Sequence, residues 1–236
     1  MNEPQAAFDP RVLPWTALWR VLFMRATADE VRAFGGRELA VGAAACWIVG
    51  IGRWWDDPTA QLVQKLGLGS VAYPFVLGAL LWLLFWPWRL PHWRYKALAA
   101  YIALCAAPGL LYVVPVEMFL STEGALAYNS VALSIVASWR VVLLHRYFRV
   151  AAGLSGLSAL VATLLPVAAI VMGMTMLNVS SGVIEGMGGF RGDPKDAFAA
   201  QIGIMASVLL IWPFFGGALY YLGYTIKVWV WPEPKG

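Results

Sequence analysis

Of the charged residues in this 236-residue chain, Arg140 is the one whose position most invites chemistry. It lies inside an apolar run over 126–148, about 12 Å from the C-terminal end of that run at the rise of an α-helix. An arginine at such depth in lipid costs at least ~2.5 kcal/mol unless it is paired or snorkels to the surface. Two uses fit it: a lining group for an anionic substrate or lipid headgroup, or a structural charge held by an ion pair or snorkelling past His145. Glu117, Arg53 and Glu185 stand near the opposite ends of their apolar runs. Arg53 facing Glu117 or Asp56 would make either a clamp on helix ends or the mouth of a proton or cation path.

The remaining reactive side chains exclude more than they suggest. Asp56-Asp57 offers too few oxygens for calcium, which takes six or more, and the flanking Trp54-Trp55 reads as an interfacial anchor. His92 and His145 are the only histidines, and no HExxH, HxxxH or CxxC spacing accompanies them, so zinc and haem lack their ligands. Ser155 and Ser158 have no histidine and acid at a diagnostic spacing, and no GxSxG or Walker lysine is present. Cys46 and Cys105 both fall in apolar runs and read as small buried hydrophobes. The sequence thus implies no metal, no cofactor and no catalytic residue.

The elements that must position these residues are set by composition. With 61% apolar residues, 13% charged ones and a mean hydropathy of +0.69, the chain carries about half the charge of a soluble domain. Runs of ~20 apolar residues then predict an all-α, polytopic transmembrane bundle. Six spans follow from the runs at 38–55, 71–88, 97–120, 126–148, 154–177 and 198–224, within a membrane region of 38–230. Pro108, Pro166 and Pro213 should kink the third, fifth and sixth. Ser130, Ser134 and Ser138 make a small polar seam that another helix can approach.

An even number of spans puts both termini on one side, and the lysines and arginines choose it. With the N-terminus cytoplasmic, 13 of the 17 fall inside, leaving Arg53, Lys65, Arg191 and Lys195 outside. The net charge of +4 is thereby a topology signal. It is no stripe for nucleic acid. Residues 232–236 close a short cytoplasmic tail from 231.

The leader, residues 1–37, is expected to hold two short helices. Over 11–26, Trp15, Leu18, Trp19, Leu22 and Phe23 recur at helical spacing with Arg20 off the stripe, which predicts an amphipathic helix anchored at the headgroups by Trp15, Trp19, Phe23 and Arg20. The alternative packs the same helix on the protein's own loops. Thr27-Ala28-Asp29-Glu30 is a capping box that starts a helix over 28–34, stopped at Gly35-Gly36.

Three stretches carry a family likeness. Trp19-Arg20-Val21-Leu22 through Asp29-Glu30-Val31-Arg32-Ala33-Phe34, then Ala100-Tyr101-Ile102-Ala103 with Ala107-Pro108 and Leu110-Leu111, then Ser138-Trp139-Arg140 to Gly153-Leu154-Ser155 resemble bacterial members of the Yip1 family. Thr27-Ala28 replaces a proline usual there, and six spans exceed the usual five. The resemblance implies a non-enzymatic protein of a bacterial inner membrane acting through lipids, through a protein partner at the cytoplasmic face or as a homo-oligomer. A small transporter lined by Arg140 and Glu117 is the alternative, and a lipid-modifying enzyme a third that lacks a nucleophile and base.

Overall fold

The computed structural model describes residues 14–52, 62–176 and 193–231. Among them every regular element is a helix. In chain order these are α1 (Pro14–Leu22), α2 (Ala28–Ala33), α3 (Gly36–Ile51), α4 (Leu62–Lys65), α5 (Leu68–Leu84), α6 (Tyr95–Leu104), α7 (Thr122–Val150), α8 (Gly156–Met176) and α9 (Asp193–Val230). Three stretches, Ala127–Val150, Gly156–Met176 and Val208–Val230, are long and apolar enough to cross a membrane. The helices over 68–84 and 36–51 are shorter, at 17 and 16 residues, or roughly 25 Å each at 1.5 Å per residue.

Side-chain meetings along the bundle show that the six larger helical segments alternate in direction. Gly36 lies by Lys96 and Gly42 by Ala103, so α3 and α6 run together. Gly50 meets Gly67, and the Trp93 indole donates to the carbonyl of Trp82, so α5 runs against both. The Tyr101 hydroxyl donates to Leu143 O and that of Tyr128 to Leu111 O, so α7 returns beside α6. Ser158 meets Tyr220 while Leu165 meets Gly217, so α8 and α9 are antiparallel. The start of α3, the end of α5, the start of α6, the end of α7, the start of α8 and the end of α9 therefore share one end of the bundle.

Two close approaches depend on glycine. A Cβ at Gly42 would stand 2.5 Å from the Ala103 Cβ and 2.7 Å from the backbone of Ala103 and Leu104. Gly67 has φ of +69°, where a side chain is strained, and its Cα abuts Gly50. Backbone contact of this kind is how helices associate where water gives no driving force.

The third predicted span departs from expectation. In place of one helix over 97–120, α6 stops at Leu104 and short 3-10 turns follow over Ala107–Tyr112 and Val116–Met118. Pro108 is the reason: it has no N–H for the carbonyl of Leu104, and its ring crowds that carbonyl. Pro166 and Pro213, by contrast, stand inside uninterrupted helices, as does Pro74 in α5. The leader also differs in its bounds, since the first helix ends at Leu22, before residues 23–26. The second ends at Ala33, and Gly36 opens α3 instead of closing α2.

A buried aromatic cluster fills the shared end. Phe85 meets Trp88, Trp93, Phe148 and Tyr221 edge-on at 5.0–6.4 Å between ring centres. Edge-to-face pairs stabilise by about 0.5 to 1.5 kcal/mol beyond what the buried area of the rings gives. The end of α9 is tied down by the Trp229 indole, which donates to Pro87 O, and by the Arg89 guanidinium 3.9 Å above the Trp229 ring. Trp88 stacks on Tyr221 and meets Tyr224 at a tilt, and its indole N–H is buried with no hydrogen-bond partner.

Candidate functional site

Arg140 reaches from α7 into the break after α6. Its Nε donates to Cys105 O at 3.3 Å and its Nη2 to Ala106 O at 3.3 Å. The carbonyls at a helix end lack intrahelical donors, and Gly109 N, which would have served Cys105 O in a continuing helix, bonds Ala106 O instead. The guanidinium supplies the missing donor, and its charge complements the negative end of the helix dipole. The ring of Tyr73 lies 5.9 Å away, and the Cys46 thiol, buried, donates to Ala103 O at 3.7 Å. The sequence reading of Arg140 as a structural charge expects an ion pair or snorkelling; the partners seen in the described structure are carbonyls beyond a proline-broken helix. Pro108 was the signal, since a break in lipid requires donors for the carbonyls it frees.

Glu117 belongs to the turn Val116–Met118, while Arg53, Asp56, Asp57 and Glu185 lie outside the described residues. No cluster of three or more His, Cys, Asp or Glu able to hold a metal occurs among the described residues. Cys46 and Cys105 are free and buried.

The leader forms the second site. Capping-box bonds Thr27 N to Glu30 Oε2 at 2.9 Å and Glu30 N to Thr27 Oγ1 at 3.4 Å start α2 as expected. Arg20 pairs with the same Glu30 at 2.7 Å, joining α1 to α2. Three donors then fasten the pair to the bundle: the Trp139 indole to Leu22 O at 3.1 Å, Arg146 Nη2 to Ala26 O at 3.1 Å and Arg32 Nε to Ala151 O at 3.0 Å. Val21, Leu22, Ala26, Val31 and Phe34 are buried in the core.

The apolar stripe predicted for the first helix is thus divided between two surroundings. Leu18 and Leu22 turn inward with Val21, whereas Trp15, Trp19 and Phe23 are 60%, 58% and 57% exposed. Trp19 stacks on Phe23 with ring centres 5.7 Å apart. One side of this helix packs on protein, and the three rings on its other side face outward. Residues 11–13 of the expected helix lie outside the described part.

A polar chain at the start of α8 was missed. Ser155 Oγ, Ser158 Oγ and the Tyr220 hydroxyl are linked at 2.9 Å each, and Thr163 bonds Ala159 O and, at 3.4 Å, His145 Nδ1. Ser158 and Thr163 are buried, which fits the reading of Gly153–Ser158 as a close helix contact. Ser134 and Ser138, in turn, face outward, with Ser134 Oγ donating back to Ser130 O. No family model matches this chain, and neither the curated proteins nor the solved structures searched give a match.

Proposed function

We propose that this is a multi-pass protein of a bacterial inner membrane, with both termini cytoplasmic, which organises its surroundings through lipid and partner contacts and catalyses no reaction. The observation that carries the reading is the division of α1 and the residue after it: a buried side, fastened at Leu22 by Trp139, and a neighbouring side of three uncovered aromatic rings, Trp15, Trp19 and Phe23. Tryptophan and phenylalanine on one side of a surface helix favour the boundary of headgroups and acyl chains. Six passes are supported by the alternating helix directions, with three shorter segments, α3, α5 and α6 with the turns after it, crossing where the bilayer or the protein around them allows it. The likeness to the Yip1 family, carried by the residues of the leader, of α6 and of 138–155, accords with such a role. A path lined by Arg140 is less favoured, because its donors already serve Cys105 and Ala106.

The test is a depth measurement on the whole protein in bilayers. With Cys46 and Cys105 replaced by Ala, a spin label at Trp19→Cys should relax faster with oxygen than with a water-soluble nickel chelate, placing it at or below the headgroups. A label at Arg94→Cys should favour nickel. Equal access to nickel at both positions would contradict the reading.

A further inference from the structure

We infer that the shared end of the bundle, together with the aromatic face of α1, is a docking surface for anionic phospholipids of one leaflet. The inference rests on the membrane reading above and names the lipid class. Among the described residues, this end holds ten lysines and arginines against Asp29, Glu30 and Glu38, a balance of +7. The opposite end holds Lys65 and Lys195 against Glu117, Glu123, Asp193 and Asp196, a balance of −2.

Several of the ten already serve the fold, Arg20 on Glu30, Arg32 on Asp29 and Ala151, and Arg146 on Ala26. Arg25, Arg94 and Lys96 are exposed. Arg25 follows Phe23 and Met24 at the edge of the aromatic face, and Arg94 and Lys96 flank the start of α6, on which α1 packs. The first turn of that helix has no acidic residue. Cations near an anionic leaflet each strengthen attraction about fivefold.

Position argues for lipid over an acidic protein. The Trp139 bond puts the end of α1 beside a residue 11 positions from the end of α7, roughly 16 Å along the helix axis. Phe23, next to Leu22, stands at that level beside the acyl region, which a soluble partner does not reach, while Arg25 lies nearer the surface at the level of Ala26 and Arg146. Because α1 is fixed by its other face, its rings and Arg25 meet a lipid with little ordering cost.

The experiment equilibrates the full chain in mild detergent with equimolar phosphatidylglycerol and phosphatidylcholine, then measures by mass spectrometry the lipid retained after gel filtration. The expected result is phosphatidylglycerol in about fivefold excess or more, falling as salt is raised. The triple variant R25Q/R94Q/K96Q should lower the ratio severalfold with phosphatidylcholine retention unchanged. W15S/W19S/F23S should lower retention of both lipids. These are exposed positions, and an unchanged melting temperature would verify each fold. A wild-type ratio near one, or a ratio that survives the triple change, would overturn the inference. If the spin label at position 19 still reports headgroup depth in that case, the membrane reading stands and only the lipid selectivity falls.

Discussion

Replacing Arg140 by alanine should destabilise the protein by about 2 to 3 kcal/mol, the scale for losing a charged donor from buried carbonyls. The change leaves Cys105 O without its donor and Ala106 O with only the N–H of Gly109. Relief of the buried charge offsets part of the loss, which keeps the figure below that of a broken ion pair. Lysine at 140 should recover about half, since an ammonium bonds one carbonyl where the guanidinium fork spans two. The measurement is unfolding in mixed micelles, with wild type, Ala and Lys compared in one titration series. An alanine variant as stable as wild type that had lost a bound anion or an ion flux would instead make Arg140 a path-lining residue.

Gly42→Val should be of similar or larger effect, about 3 kcal/mol, at the upper end of the cost of overpacking. The added Cβ meets the Ala103 Cβ at 2.5 Å, and behind it the main-chain atoms of Ala103 and Leu104 at 2.7 Å. Ala103→Gly would clear the first contact and leave the second, so rescue should be small. Because α6 carries the carbonyls that Arg140 caps, displacing it weakens that cap as well. The double variant Gly42→Val/Arg140→Ala should therefore cost less than the sum of the two single changes, which a double-mutant cycle measures.

How far the fold could be read from sequence depended on whether the cause was local. The Thr27–Glu30 capping box, the helices over 122–150 and 156–176 and the alternation of six apolar runs follow from periodicity and punctuation within single segments. The proline at 108 was read as a kink, yet its consequence is a break, because Gly109 and Pro115 follow it and the chain does not resume a helix until Thr122. Arg140 was singled out by its depth alone. Its partners are carbonyls freed 34 and 35 residues away, and a backbone acceptor leaves no mark of residue type in a sequence. The division of the first helix was hidden for a related reason: Trp15, Leu18, Trp19, Leu22 and Phe23 are all apolar, and only packing against α3 and α6 separates Leu18 and Leu22 from the rings. The chain Ser155–Ser158–Tyr220 needed α8 and α9 to meet across 62 residues before its members were neighbours.

The central claim is that the basic end faces the cytoplasm and that the alternating helices carry the chain across the membrane between the two ends. Thiol labelling of intact cells with a membrane-impermeant maleimide tests it most directly, using single cysteines in a background lacking Cys46 and Cys105. Cysteines at Lys65 and Leu120 should label in intact cells, and those at Arg94 and Lys227 only after the membrane is opened. Protection of Leu120→Cys would deny a crossing by α6 and its following turns, and labelling of Arg94→Cys in intact cells would contradict the orientation itself.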